Sequence, residues 1–200
     1  MTSRSVSITG ATGFLGYHLA LAFQQSGWQV RAVVRPGSVK PLPEGVVPVQ
    51  APLARAGLEP AFAGADLVVH AAAAIRAPSE VAFTAANVDG TRAVVEAVNA
   101  TGARLLHISS VAAVGPASAT SPAREDDGPH PINGYGRSKL AGEEHVTASL
   151  GVAALEGAAA TTAEELVEAA DRALYAAKNA GRDRVSVETA VLEATEWGRA

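Results

Sequence analysis

Ser5-Val-Ser-Ile-Thr-Gly-Ala-Thr-Gly-Phe-Leu-Gly16 is the stretch on which the fold turns. Ser5–Thr9 alternates polar and apolar side chains and reads as a short strand. Gly10, Gly13 and Gly16 follow at a spacing of three. Glycines so placed let the chain turn sharply and let backbone approach a bound group. A helix comes next, with Leu15, Leu19, Ala22 and Phe23 on one apolar face and Gly27 as its stop. Strand, glycine turn and helix, in that order, aim the free N–H groups of a helix N-terminus at a phosphate. Gly10, Thr12, Gly13, Phe14, Leu15 and Gly16 are therefore expected to line a dinucleotide.

Beyond this unit the pattern repeats. Apolar runs at 29–34, 46–50, 66–73 and 104–109 predict further strands, and 66–73 is continuous enough for a sheet covered on both faces. Residues 87–100 predict a long helix with Val88, Thr91, Val95 and Val98 on one side. Strands alternating with helices predict an α/β fold with a parallel, doubly wound sheet. Right-handed crossovers place every strand's C-terminal end along one edge, where ligands bind.

Composition narrows the function classes. Nearly half of the 200 residues are apolar (48%), enough for a real core. A net charge of −4 argues against a nucleic-acid partner. Without cysteine there is neither a disulfide nor a thiolate site, and no metal site is expected. The N-terminus lacks the apolar length of a signal peptide, and no run reaches the roughly 18 apolar residues of a membrane span. The expectation is a soluble cytoplasmic protein without a membrane partner, acting on a small-molecule substrate if it is active. Its oligomeric state is not legible.

The end of the second strand bears on cofactor choice. An acidic residue there would hold the ribose hydroxyls of NAD. This chain has Arg31 and Arg35, which strand alternation puts on one face with Arg35 at the tip. An arginine there can stack on adenine and pair with a 2′-phosphate, so NADP is expected, with NAD as the alternative. A solvated surface arginine is the plainer reading. For chemistry, Tyr135-Gly-Arg-Ser-Lys139 sets a tyrosine and a lysine one helical turn apart. A neighbouring ammonium favours tyrosinate, and the phenol can then act as general acid or base. Ser110, at a strand's C-terminal end, can hydrogen-bond the substrate oxygen, with Ser109 a competitor for that role.

These residues carry a family resemblance. Thr9-Gly-Ala-Thr-Gly-Phe-Leu-Gly16, Asp66-Leu-Val-Val-His-Ala-Ala72, Asn87-Val-Asp-Gly-Thr91, His107-Ile-Ser-Ser-Val111 and Tyr135-Gly-Arg-Ser-Lys-Leu-Ala-Gly-Glu143 come in the order and spacing of the extended short-chain dehydrogenase/reductases. This is the NAD(P)-dependent epimerase/dehydratase group. The resemblance covers residues 1–145 and implies a Rossmann-like domain lacking its substrate lobe. It implies Ser110, Tyr135 and Lys139 as the catalytic set and Gly10, Gly13 and Gly16 as the phosphate turn. It further implies His70, Ala71 and Ala72 as the segment lining the cofactor, and Asn87 as a residue shaping the site. His70 reads equally well as a buried strand histidine. The run from Val30 to Gly37 looks like reductase-type members that prefer NADP. One departure is Pro52-Leu53, where the family commonly has an Asp-Leu pair whose Asp contacts adenine.

From Val146 the text changes. Val146-Thr-Ala-Ser-Leu-Gly-Val-Ala153 reads as a strand, Thr162-Ala-Glu-Glu165 as a capping box, and Leu166, Ala170, Ala173, Leu174 and Ala177 as a helix face. Residues 184–188 predict a last strand, completing β–α–β. Together with Ala169-Ala-Asp-Arg-Ala-Leu-Tyr-Ala-Ala-Lys-Asn-Ala-Gly-Arg182, this tail resembles the C-terminal end of GGDEF domains, the diguanylate cyclases. Lys178 and Arg182 match phosphate-contacting positions there, and read otherwise as ordinary cations at a helix C-terminus. The hairpin that names that family is absent from the chain. The expectation is a chimera: a truncated dinucleotide-binding domain over 1–145 and a GGDEF-like fragment over 146–200, docked on or beside the sheet edge. Four readings compete: an NADP(H)-binding oxidoreductase or epimerase-type domain with weak turnover, a non-catalytic binding or scaffold module, a nucleotide-signalling protein acting through the tail, and a hybrid that folds poorly and has no activity.

Overall fold

A computed structural model describes residues 4–118, 120–124, 127–146, 150–155 and 185–190. The chain divides into two compact units, Met1–Thr147 and Ala148–Ala200.

The first unit is built on five parallel strands. β1 (Ser5–Thr9), β2 (Gln29–Val34), β3 (Val47–Gln50), β4 (Leu67–His70) and β5 (Arg104–His107) lie in the order β3-β2-β1-β4-β5. Around them run α1 (Phe14–Gln25), α2 (Arg55–Phe62), α3 (Glu80–Phe83), a π-helical turn (Thr84–Asp89), α4 (Gly90–Thr101), α5 (Val111–Val114) and α6 (Gly134–Glu143). The register matters for the site. Thr9 pairs with His70, and His70 with His107, so β1, β4 and β5 end level with one another.

The sheet is covered on both faces, as its apolar strands require. Ser7 Oγ donates to the Ala61 carbonyl of α2, which fixes the face that α2 and α4 cover. On that side Val33, Leu58, Phe62, Val68, Val94 and Val98 form one buried cluster. α1 packs on β1 and β2 through buried Leu19, Ala20 and Phe23, with Trp28 edge-on to Phe23 at 5.3 Å. Burying each large apolar side chain of this kind contributes roughly 2 kcal/mol.

Several elements differ from their sequence reading. β3 begins at Val47, β4 ends at His70 and β5 ends at His107. Ladder bonding stops with Ala71 N–H to Thr9 O and Ile108 N–H to His70 O, and beyond these the chains splay into loops. On α1 the buried set is Gly16, Leu19, Ala20 and Phe23, while Leu15 lies towards solvent. The long helix does not run uniformly from Asn87. The π turn puts an extra residue into the helical path, and α4 buries Thr91, Val94, Ala97 and Val98 rather than Val88 and Val95. α2 was illegible because it is short and carries Pro60.

In the second unit β6 (Leu150–Leu155) and β7 (Val185–Ala190) pair in parallel, from Leu150 with Val185 to Leu155 with Ala190. The expected strand start at Val146 is corrected: its N–H donates to Glu143 O, so it closes the end of α6. The expected helix with its Leu166–Ala177 face, its seam on the first sheet, and Lys178 and Arg182 lie outside the described residues. Among the described residues no helix is long and apolar enough to cross a membrane.

Candidate functional site

The site is assembled where β1, β4 and β5 end. Gly10 sits at φ +76°, and a Cβ there would lie 2.6 Å from Ala72 N and 2.7 Å from the Ala71 carbonyl carbon. Ala71 and Ala72 therefore press on the turn through their backbone. A Cβ on Gly16 would lie 2.6 Å from Gly10 C and 2.9 Å from Ala11 Cα, so Gly16 lets α1 close on the turn. Gly13 is different. Its N–H donates to Gly10 O at 2.9 Å, and an added Cβ would meet only that oxygen, at 3.2 Å. Gly13 caps α1 without a side-chain hydrogen bond, and no acidic residue occupies the first turn. A helix start without a side-chain cap, at an open glycine, suits a pyrophosphate, so a dinucleotide fits this cradle. Thr12 is half-buried beside it, Phe14 is 86% exposed and Leu15 38% exposed.

Past β2, Arg35-Pro-Gly-Ser38 forms a tight turn. Ser38 N–H donates to Arg35 O at 3.0 Å, and Gly37 takes φ +75° as the third turn residue. Gln50 Oε1 accepts from Gly37 N at 3.2 Å, bracing the turn from β3. Arg35 is exposed at this tip. Arg31 does not join it: Nη1 donates to the Ala63 carbonyl at 3.0 Å, beyond the end of α2. Pro52 packs its ring beside Gly57 and offers no side-chain donor or acceptor.

Behind the glycine turn lies a buried polar chain. The Thr9 hydroxyl is 2.7 Å from His70 Nδ1, and His70 Nε2 is 3.1 Å from Thr91 Oγ1. Thr91 donates to Asn87 O at 2.6 Å. Asn87 Oδ1 accepts from Ala74 N at 2.7 Å, and its Nδ2 donates to Ala74 O at 3.0 Å and to Ser138 Oγ at 2.8 Å. Ser138 donates in turn to Tyr135 O at 2.8 Å. Thr9, His70, Asn87 and Thr91 are each only 1% exposed. Burial, with Lys139 nearby, pushes the His70 imidazole down to about 3, so it is neutral. The His70 ring thus faces the interior, and Asn87 has both amide hydrogens engaged within the protein.

Lys139 is buried and its Nζ donates to the Ile108 carbonyl at 2.7 Å, just past the end of β5. Burial pulls its ammonium down to about 8, with Glu143 opposing that shift. Ser109 donates to Glu143 Oε1, which commits its hydroxyl to α6. Burial holds the Glu143 carboxyl above its ordinary value, against the Ser109 hydrogen bond and Lys139. Ser110 instead caps α5, its oxygen accepting from Ala112 N at 3.2 Å, which leaves the hydroxyl hydrogen for another partner. Of the two serines, only Ser110 retains a donor. Tyr135 is half-buried, one turn before Lys139, with the Phe83 ring 6.5 Å away. His107 stands behind Lys139, buried, its ring 5.4 Å from that of His70. Neither ring nitrogen of His107 has a partner, and burial, Lys139 and His70 push it down to about 2.

Thr9, Thr91, Ser138 and Glu143 were missed as site residues by sequence reasoning, although each lies inside a quoted motif. A separate cleft of about 510 Å³ opens at the N-terminal ends of β1 and β2, beside Ser5, Trp28 and Arg31. It lies at the opposite end of the strands from the glycine turn.

Residues 6–158 match the NAD dependent epimerase/dehydratase family, and residues 137–184 match the diguanylate cyclase GGDEF domain. The second match begins inside α6, before Val146. Ceramide reductase of Caulobacter vibrioides is 39% identical over 148 residues, covering 72% of this chain and 42% of that protein. The dTDP-6-deoxy-L-talose 4-dehydrogenase (NAD(P)(+)) of Kitasatospora kifunensis is 30% identical, covering 76% of this chain and 49% of its own. Among solved structures, MoeE5 in complex with UDP-glucuronic acid and NAD superposes with a TM-score of 0.62 at 31% identity, over 70% of this chain and 48% of that one. The Bordetella bronchiseptica enzyme WbmG in complex with NAD gives 0.61 at 30% identity, over 72% and 49%. The chain spans less than half the length of these relatives. With its parallel sheet, glycine turn and helix-borne Tyr135 and Lys139, the chain belongs to the NAD dependent epimerase/dehydratase family.

Proposed function

We propose that residues 4–146 bind NADP(H) and act on a carbonyl–alcohol pair, with low turnover. Gly10, Gly13 and Gly16 would seat the pyrophosphate, Ala71 and Ala72 the adjoining part of the dinucleotide, and Arg35 the 2′-phosphate. When bound, the cofactor supplies or accepts the hydride. Tyr135 gives or takes the proton at the substrate oxygen, Ser110 donates a hydrogen bond to that oxygen, and Lys139 presents its ammonium beside them. The observation that carries this reading is the buried Lys139 ammonium, held on Ile108 O one turn from Tyr135. A buried cation without a carboxylate in hydrogen-bond contact is costly and suits a site rather than a core. The relatives include a ceramide reductase and a sugar 4-dehydrogenase, which share oxidoreduction and not a substrate.

Low turnover is proposed because catalysis needs the substrate held at near-attack geometry, and the epimerase-type match ends at residue 158 while residues 137–184 match a GGDEF domain. The two family matches overlap over residues 137–158, which supports a fusion of an epimerase-type domain with a GGDEF-like tail. Titration with NADPH, NADH and GTP, followed by cofactor fluorescence and thermal shift, tests the reading. NADPH should stabilise the protein most. Absence of any shift with both dinucleotides would sink it.

A further inference from the structure

We infer that His70, as a neutral imidazole protonated only on Nε2, is a positioning residue that ties the glycine turn to the helix bearing Tyr135 and Lys139. The inference deepens the proposed dinucleotide-dependent reading and rests on it for its functional meaning.

The hydrogen atoms in the chain can be placed one way. Thr91 has a single hydroxyl hydrogen and gives it to Asn87 O, so towards His70 it can only accept. His70 Nε2 must then carry the ring hydrogen. Nδ1 is left as an acceptor, and the Thr9 hydroxyl 2.7 Å away donates to it. Thr9 Oγ1 accepts in turn from Ala72 N–H at 3.4 Å. Past Thr91 the polar contacts continue through Asn87 to Ser138, which lies between Tyr135 and Lys139 and donates to Tyr135 O. Exchanging the tautomer would turn Nδ1–H towards Thr9 and strand the Thr9 hydroxyl hydrogen in the interior, where an unmet donor costs about 1–3 kcal/mol.

The two ends of this chain are functional. Thr9 immediately precedes Gly10, and Ala72 N is the atom that limits the space at Gly10. Ser138 stands in the α6 turn whose Lys139 reaches Ile108 O. β1, β4, α4 and α6 each contribute a link, so their relative placement is set by directed bonds as well as by packing.

The test uses the full chain, with His70→Phe, Thr91→Val and Thr91→Ser. Nitrogen-15 NMR of His70 should show Nε2 protonated and Nδ1 unprotonated; the reverse pattern overturns the inference. Lys139 is then titrated by competitive acetylation and mass spectrometry. The wild type should titrate near 8. His70→Phe should raise that midpoint by about one pH unit or more, because an α6 released from the chain admits water to the ammonium. Thr91→Val should do the same, and Thr91→Ser, which keeps the hydroxyl, should restore the wild-type value. If His70→Phe does not fold, the Thr91 pair decides. A lowered melting temperature with an unmoved Lys139 midpoint would make His70 a core residue only and overturn the inference. NADPH titration of the wild type reports separately on the proposed function, since neither readout depends on bound cofactor.

Discussion

Gly13 and Gly16 lie three residues apart and fail differently when substituted. A side chain on Gly16 meets backbone at 2.6 Å and cannot be accommodated without moving the turn. Gly16→Ala should therefore cost about 2 kcal/mol or more, read as a drop in urea midpoint. A Cβ on Gly13 meets only Gly10 O, at 3.2 Å, so Gly13→Val should cost the fold less than Gly16→Ala while both dinucleotides lose their place. Retained NADPH affinity in Gly13→Val would remove the pyrophosphate from this turn. Arg35 is exposed at the tip of β2. Arg35→Asp should reverse or erase a preference for NADPH over NADH in fluorescence titrations. Equal wild-type affinities would withdraw Arg35 from cofactor choice. Tyr135→Phe should abolish residual reductase activity and leave cofactor binding intact; robust turnover in that variant would refute the catalytic assignment.

At the scale of elements, α6 is held by unlike attachments. Arg137 on α6 pairs with Glu80 on α3 at 2.5 Å, with both side chains more than half exposed. Such a surface pair is worth about 0–1 kcal/mol. Asn87, projecting from the π turn, bonds the Ala74 backbone and Ser138 from a buried position. Asn87→Leu would leave Ala74 and Ser138 without their partner, a loss of about 3 kcal/mol. Glu80→Ala should barely move the chemical-denaturation midpoint. Comparable losses in the two variants would show that burial of the Asn87 contacts is not what secures α6. The π turn explains why Asn87 can reach both neighbours. It breaks the regular helical repeat at the point where the side chain must project towards α6.

For the whole molecule, the buried titratable groups set a pH dependence. His70 and His107 titrate near 3 and 2 in the fold, against 6.5 when unfolded. Between pH 6.5 and 3 the unfolded chain binds protons that the folded chain refuses, so stability falls as pH drops through that window. The slope from these two groups should approach about two protons. His107→Phe should lower that slope by about one proton and raise stability, because it also removes two unpartnered ring nitrogens. An unchanged slope in urea unfolding series would show that His107 is protonated or solvated in the fold. Lys139 acts at the other end. Its value is lowered from 10.5 to about 8, so stability should rise as pH climbs between those values. For the tail, GTP and magnesium should yield no cyclic di-GMP, since the chain has no Gly-Gly-Asp/Glu-Glu-Phe hairpin. Detectable product would reopen the signalling function.

What the sequence determined by itself is what neighbours along the chain decide. The turn at Gly10, Gly13 and Gly16, the strand at Ser5–Thr9, the stop at Gly27 and the Tyr135-to-Lys139 spacing are properties of short segments, and short-range sterics and periodicity suffice to read them. The parallel α/β architecture followed from alternating such segments. Strand ends, the rotated face of α4 and the helix around Pro60 were not legible, because pairing partners and an irregular turn decide them. Nor was the difference in hydroxyl partners between Ser109 and Ser110, which rests on Glu143 lying within hydrogen-bond reach of Ser109. The chain Thr9–His70–Thr91–Asn87–Ser138 is the clearest case. Its members come from four separate segments of the sequence, and hydrogen bonding is decided by distance and direction in space, which only the folded backbone supplies.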